Sequence, residues 1–223
     1  AVLYMMAMVI RIGMARSGKH DTVVYTRAAL TFTGLTKNLG ELFALVFAGG
    51  VITWILITDG VRDVSYGISL NFLGLYMEKI GNLTIQTIGL LNGVFGLFSM
   101  ALMIPGGWLA DKRGERVGIS IGFVFNSLAL GGIAILPAAS PAWMYFVGFA
   151  VAGIGMGLMA PAYQSLISKA VPAHMRGTAF GLFSTSLGLI SLPAPFIGSL
   201  LWENISPQFP FLVTAVVSLI IIL

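Results

Sequence analysis

From Thr84 onward the sequence alternates long uncharged apolar runs with short connections. The runs occupy about residues 84–110, 117–136, 142–168, 177–201 and 209–223. A helix crossing the roughly 30 Å of a bilayer's hydrocarbon needs about 20 apolar residues. The runs therefore read as membrane-spanning helices. A further apolar stretch, Leu42 to Met77, is interrupted only by Asp59, Arg62 and Asp63. As one helix it would measure about 54 Å, too long for one straight crossing. It reads as a single span that is extended or broken near Asp59-Gly60, with two helical pieces as the alternative. The first ten residues are apolar but reach only about 15 Å, half a crossing.

Charged residues make up 9% of the chain and hydrophobic ones 57%, with a mean hydropathy of +0.96. A soluble domain carries about 25% charged residues. So few charges cannot cover a water-facing surface, which excludes a soluble enzyme, a nucleic-acid binder and a disordered chain. There is no Cys, and His20 and His174 lie far apart, so neither a disulfide framework nor a metal site is expected. No cofactor is implied.

The basic residues report topology. Five fall in 11–37 (Arg11, Arg16, Lys19, Arg27, Lys37), three in 111–117 (Lys112, Arg113, Arg116) and two in 169–176 (Lys169, Arg176). The alternate loops hold almost none: Lys79 in 79–83, and no Lys or Arg in 137–141 or 202–208. By the positive-inside rule the basic loops are cytoplasmic. The positive charge is thus a topology signal, not a phosphate-binding face. The expected organisation is a preceding helix tail at 1–10, a basic cytoplasmic loop at 11–40, and a six-helix bundle over 41–223. Residues 24–38 are mildly amphipathic and read either as a helix on the membrane surface or as plain loop.

The loop after the second full span reads Gly106-Gly107-Trp108-Leu109-Ala110-Asp111-Lys112-Arg113-Gly114-Glu115-Arg116. It resembles the signature loop of the major facilitator superfamily, G-x-x-x-[DN]-[RK]-x-G-[RK]-[RK]. Gly107, Asp111, Lys112, Gly114 and Arg116 match, while Glu115 puts an acid where the pattern has a base. Two helices on, Pro172, Arg176 and Gly177 resemble the family's P-x-x-x-R-G turn. Ser206-Pro207-Gln208-Phe209-Pro210-Phe211 resembles the start of the last helix of such transporters. The resemblance implies an all-α membrane protein, the six-transmembrane-helix half of a major-facilitator bundle. Because the two halves are repeats, both halves fit, and the basic segment 11–37 favours the C-terminal one, helices seven to twelve, over the N-terminal one. The sequence starts without Met and stops within an apolar run, so it reads as part of a longer chain.

The same resemblance implies a cytoplasmic latch. Asp111 can accept hydrogen bonds from the free N–H groups of a helix start, where the dipole is positive. In the family that start belongs to the other half. If the chain were itself a half, a second copy could offer the equivalent start near Arg176-Gly177. Gly107 and Gly114 would supply close approach or positive φ.

Ionisable residues inside a span are functional candidates, because burying them is costly. Asp59, Arg62 and Asp63 stand at i, i+3 and i+4, on one helix face. They read either as a proton-coupling and anion-holding set or as a static ion-pair set near the cytoplasmic interface. Asn71, Asn92, Asn126, Tyr163 and Gln164 either line a cavity or make interhelical hydrogen bonds. Pro105, Pro161, Pro193 and Pro195 mark sites of bending, and Gly148/Ala152 and Gly153/Gly157 are small-x-x-x-small packing pairs.

The leading reading is a secondary active transporter, integral to the cell membrane and multi-pass. It would move a small solute, with H+ as a candidate coupling ion, by alternating access. Its partners would be the bilayer, the solute, and the missing half or a second copy. The alternative is a non-transporting half that self-associates as a homodimer. No nucleophile–base set, metal cluster or phosphate loop suggests an enzyme.

Overall fold

A computed structural model describes residues 51–171, 180–181, 188 and 191–222. The helix tail at 1–10, the basic loop at 11–40 and the turn carrying Pro172, Arg176 and Gly177 lie outside the described residues. Six helices are present among those described: α1 (Val51–Lys79), α2 (Ile85–Arg113), α3 (Glu115–Ile135), α4 (Ala142–Ala170), α5 (Ala194–Asn204) and α6 (Phe209–Ile220). Three of them, α2, α3 and α4, are long and apolar enough to cross a membrane.

From Val51 onward, the described part of the long apolar stretch is one helix. α1 runs unbroken from Val51 through Asp59 and Gly60 to Lys79. At 1.5 Å per residue its 29 residues span about 43 Å. No break occurs at Asp59-Gly60.

α2 and α3 are separated by Gly114 alone. Its N–H donates to the Ala110 carbonyl at 2.9 Å, closing α2. Its backbone lies at φ 90° and ψ 152°, a region essentially restricted to glycine. That one residue reverses the chain at the centre of the signature loop. At the other end α2 is capped by Thr84, whose hydroxyl accepts from the Thr87 N–H at 3.3 Å.

The helices exchange partners. α4 packs chiefly on α2 and α3, whereas α1 packs on α5 and α6, and α3 joins the two sets through α6. The first helix of each three-helix group thus packs mainly against the second and third helices of the other group. α1 and α4 touch little. Interhelical hydroxyl bonds fasten the set: Ser127 donates to the Ala215 carbonyl at 2.8 Å, and Thr214 to the Ser65 carbonyl at 2.6 Å.

Glycines make α4 the hub. A Cβ at Gly153 would meet the Phe95 carbonyl oxygen at 2.5 Å, and one at Gly157 the Ser99 carbonyl oxygen at 2.5 Å. These two positions bring the α2 backbone against α4, as their spacing suggests. Gly148 instead faces the Ile133 side chain of α3. Pro161 deprives the Gly157 carbonyl of its helical donor. That oxygen would lie 2.6 Å from a Cβ at Gly106 of α2. In the signature loop, therefore, Gly106 makes the close approach. Gly107 has only ordinary contact with Pro161, at 3.9 Å.

The connections segregate as the basic residues imply. The Ala139 N–H of the α3–α4 loop donates to the Ile80 carbonyl of the α1–α2 loop at 2.9 Å. Trp202, at the end of α5, stacks on Phe72 of α1 with ring centroids 5.8 Å apart. These poorly basic connections share one end of the bundle. Tyr76, Tyr145, Phe211 and Leu91 form a buried core beneath them. The signature loop and the end of α4 share the opposite end, where Lys169 and Ser165 both donate to Oε1 of Glu115. The α5 start also follows the sequence: a turn at 191–193 precedes Ala194, Pro193 is the N-cap, and Pro195 sits in the first turn of the helix.

Replacing Gly157 by Val should force α2 and α4 apart, at a cost of about 1–3 kcal/mol. The expected result is a lower melting temperature in detergent, while Gly132→Val, at a position open within 4 Å, should change it much less.

Candidate functional site

The charged cluster of α1 is at the basic end of the bundle. Asp59 precedes Lys79 by twenty residues, about 30 Å of helix rise. Asp59 is 2% exposed despite its charge. Arg62 clamps both neighbouring acids. Its Nη1 lies 3.0 Å from Asp59 Oδ1. Its Nε and Nη2 donate to Asp63 Oδ1 at 2.9 and 2.8 Å. The Asp59 oxygen has the ion pair but no well-directed hydrogen bond among the described residues. Asp63 is more open, its side chain 29% exposed.

α4 supplies the other wall. The Arg62 guanidinium lies over the Tyr163 ring, 4.8 Å from its centroid, a cation–π arrangement. Tyr163 also packs edge-on against Phe123 of α3. The Asp59 carboxylate interacts with Tyr163 as well. Ion pair and ring together bridge α1 and α4, the two helices that otherwise barely meet. With two acids and one base the cluster carries a formal charge of −1.

Toward the middle of the bundle the same interhelical space opens into a cavity of about 340 Å³. Four helices line it: Tyr66, Leu70 and Leu73 from α1, Asn92 and Phe95 from α2, Asn126 and Ile133 from α3, and Phe149 and Met156 from α4, among others. The wall is mainly apolar and aromatic. No charged side chain lines it. Tyr66 joins cavity to cluster, standing one turn beyond Arg62 and Asp63. Its buried hydroxyl interacts with Ser218 of α6 but makes no well-directed hydrogen bond among the described residues.

The structure thus brings together Asp59, Arg62, Asp63 and Tyr163, and sets Asn126 in the adjoining cavity. Asn71 and Gln164 are exposed and do not line it. Asn71 donates to the Gly67 carbonyl of its own helix at 3.0 Å. In the signature loop Asp111, Lys112 and Arg116 are exposed. Lys112 lies over the Trp108 ring, 4.4 Å from its centroid. Asp111 acts on Lys169 electrostatically. Among the described residues it reaches no helix start.

Sequence reasoning passed over Tyr66, Ser165 and Lys169. Tyr66 carried a usable signal, since it continues the face of Arg62 and Asp63 by one turn. The partners of Glu115 carried none, because Ser165 and Lys169 are about fifty residues away.

The family model of the Major Facilitator Superfamily matches residues 55–223, most of the chain. The chain belongs to the Major Facilitator Superfamily. Among curated relatives, an uncharacterized MFS-type transporter of Methanocaldococcus jannaschii is 33% identical over 127 residues, 57% of this chain and 31% of the relative. A Na(+), Li(+), K(+)/H(+) antiporter of Planococcus maritimus is 28% identical over 173 residues, covering 74% of this chain and 39% of the antiporter. The quinolone resistance protein NorA of Staphylococcus aureus is 29% identical over 145 residues, covering 65% and 36%. The chain spans between about a third and two fifths of the length of these relatives. As a superfamily member with helices of this apolarity, it is an integral membrane protein.

Two substitutions probe this site. Arg62→Met leaves the buried Asp59 without its cation and should cost about 3–5 kcal/mol, whereas Asp59→Leu with Arg62→Met should recover much of that. Melting temperatures of the two variants in detergent decide it. Gly114→Ala should cost about 1–3 kcal/mol by forcing a side chain into a glycine-only region, read in the same assay.

Proposed function

We propose that this chain is the C-terminal six-helix half of a secondary active transporter that moves a small solute across the cell membrane by alternating access, coupled to H+. One observation carries the reading: a buried acid, Asp59, is held by Arg62 and faces Tyr163 across the space between α1 and α4, next to a mid-bundle cavity. A charge in that position is costly, which makes it a default candidate for function. Asp59 is the proton-carrying acid. Protonating it releases its hold on Arg62 and weakens the bridge between the two helices. Asp63 holds Arg62 in position through both states. The cavity beside them receives the solute. Kinship to a protein named as a cation/H+ antiporter and to one named for quinolone resistance supports both coupling and solute transport.

The exposed signature loop serves as the cytoplasmic latch in this reading. Gly114 sets the turn, Asp111 faces the other half, and the Glu115–Lys169 pair ties the loop to α4. Gly107, Lys112 and Arg116 shape and charge the same surface.

Proteoliposomes of the intact protein test it. With an imposed pH gradient, Asp59→Asn should lower gradient-driven solute uptake at least tenfold while solute binding persists. Asp63→Asn should retain most gradient-driven uptake. Full gradient-driven uptake by Asp59→Asn would remove Asp59 as the coupling group.

A further inference from the structure

The polar groups of the mid-bundle cavity point to the chemistry of its ligand. Two amides line it, Asn92 and Asn126. Each spends its Nδ2 on its own helix. Asn92 donates to the Ile88 carbonyl at 2.9 Å, and Asn126 to the Gly122 carbonyl at 3.0 Å. The Asn126 Nδ2 is further pinned at the α3–α4 contact, where a Cβ at Gly155 would lie 3.0 Å from it. Neither Oδ1 accepts a hydrogen bond among the described residues. What these side chains offer a ligand is therefore two carbonyl acceptors. The third polar group is the buried Tyr66 hydroxyl, which interacts with Ser218 of α6 without a well-directed hydrogen bond and can both donate and accept.

The remainder of the wall is aromatic and apolar: Phe95, Phe149, Met156 and the leucines of α1 and α3. Aromatic faces attract cations and repel anions. The nearest ionised groups are Asp59, Arg62 and Asp63, with a summed charge of −1. Acceptors, ring faces and net negative charge favour the same partner. A carboxylate or sulfonate would meet two carbonyl oxygens with no cation lining the cavity to hold it. A protonated amine would meet acceptors it can satisfy, and its apolar body would fill the rest.

We infer that the cavity between α1 and α4 takes a lipophilic amine in its protonated form, with Asn92 and Asn126 as the specificity-determining acceptors and Tyr66 as the third polar contact. The inference deepens the transport reading by naming its substrate class. It rests on that reading only for the fate of the ligand, since binding is measurable without transport.

The experiment uses the intact protein in nanodiscs and three fluorescent or radiolabelled aromatic probes. 9-Aminoacridine is an aromatic cation with N–H donors. Tetraphenylphosphonium is an aromatic cation without donors. 1-Anilinonaphthalene-8-sulfonate is an aromatic anion. 9-Aminoacridine should bind most tightly and the sulfonate least. Asn92→Leu and Asn126→Leu should each weaken 9-aminoacridine about tenfold, the scale of one lost charge-assisted hydrogen bond. Tetraphenylphosphonium binding should change less than twofold in the same variants, which also reports that they fold. Asn92, exposed on α2, gives the variant least prone to misfold. Sulfonate binding as tight as aminoacridine binding, or aminoacridine affinity unchanged in both variants, overturns the inference. Aminoacridine binding that depends on the asparagines but without gradient-driven transport would sink the transport reading and leave this one standing. Gradient-driven uptake of another solute with no aminoacridine binding would do the reverse.

Discussion

The bundle depends on the close approach of α4 to α2 and α3. In a membrane, lipid tails are as apolar as leucine, so helices gain little by hiding apolar side chains from their surroundings. What holds them is dispersion between closely packed backbones. Gly153 and Gly157 admit the carbonyls of Phe95 and Ser99, and Gly106 admits that of Gly157. The last contact uses a carbonyl that Pro161 has freed, so the proline and the glycine opposite it act together. This contact fixes the rotation of α4, and with it the direction of Tyr163, Met156 and Phe149. The cavity wall and the charged cluster follow from that rotation.

Against this tight seam stands the loose one. α1 meets α5 and α6 but leaves a gap toward α4, and the gap holds everything of chemical interest. Its basic end is closed by Arg62 between two carboxylates and a tyrosine ring. Its other end is closed by the packed aromatics of Tyr76, Tyr145 and Phe211. A buried ion pair costs desolvation that its Coulomb attraction only partly offsets. Such a pair adds little to stability, yet removing one partner is severe. An element of that kind suits a joint that must open and close, since its strength changes with a single proton.

The signature loop shows how a departure from a family pattern can be absorbed. Glu115 stands where the pattern has a base, and it accepts from Lys169 and Ser165 at the end of α4. The charge at that position is reversed, but the acid is matched by a base on the helix it faces. The loop is thereby tied to α4, the same helix that carries Tyr163 and one wall of the cavity.

The sequence by itself determined the membrane class, the segregation of basic from non-basic connections, the face shared by Asp59, Arg62 and Asp63, and the family. Each is a property of local composition or spacing: apolar run length, Lys and Arg placement, helical periodicity and a contiguous loop motif. It also identified Gly153 and Gly157 as a packing pair, because their spacing encodes a helix face. Only the tertiary structure decided that Tyr163 sits over Arg62, that Tyr66 and Asn126 line a common cavity while Asn71 and Gln164 do not, and that Gly106 makes the close contact in the signature loop. Those facts depend on the rotation and partner of each helix. Such choices arise from contacts between residues as many as 149 positions apart, which no local window contains. The unbroken course of α1 through Gly60 belongs with them, in a helix whose charges and glycine invited a break.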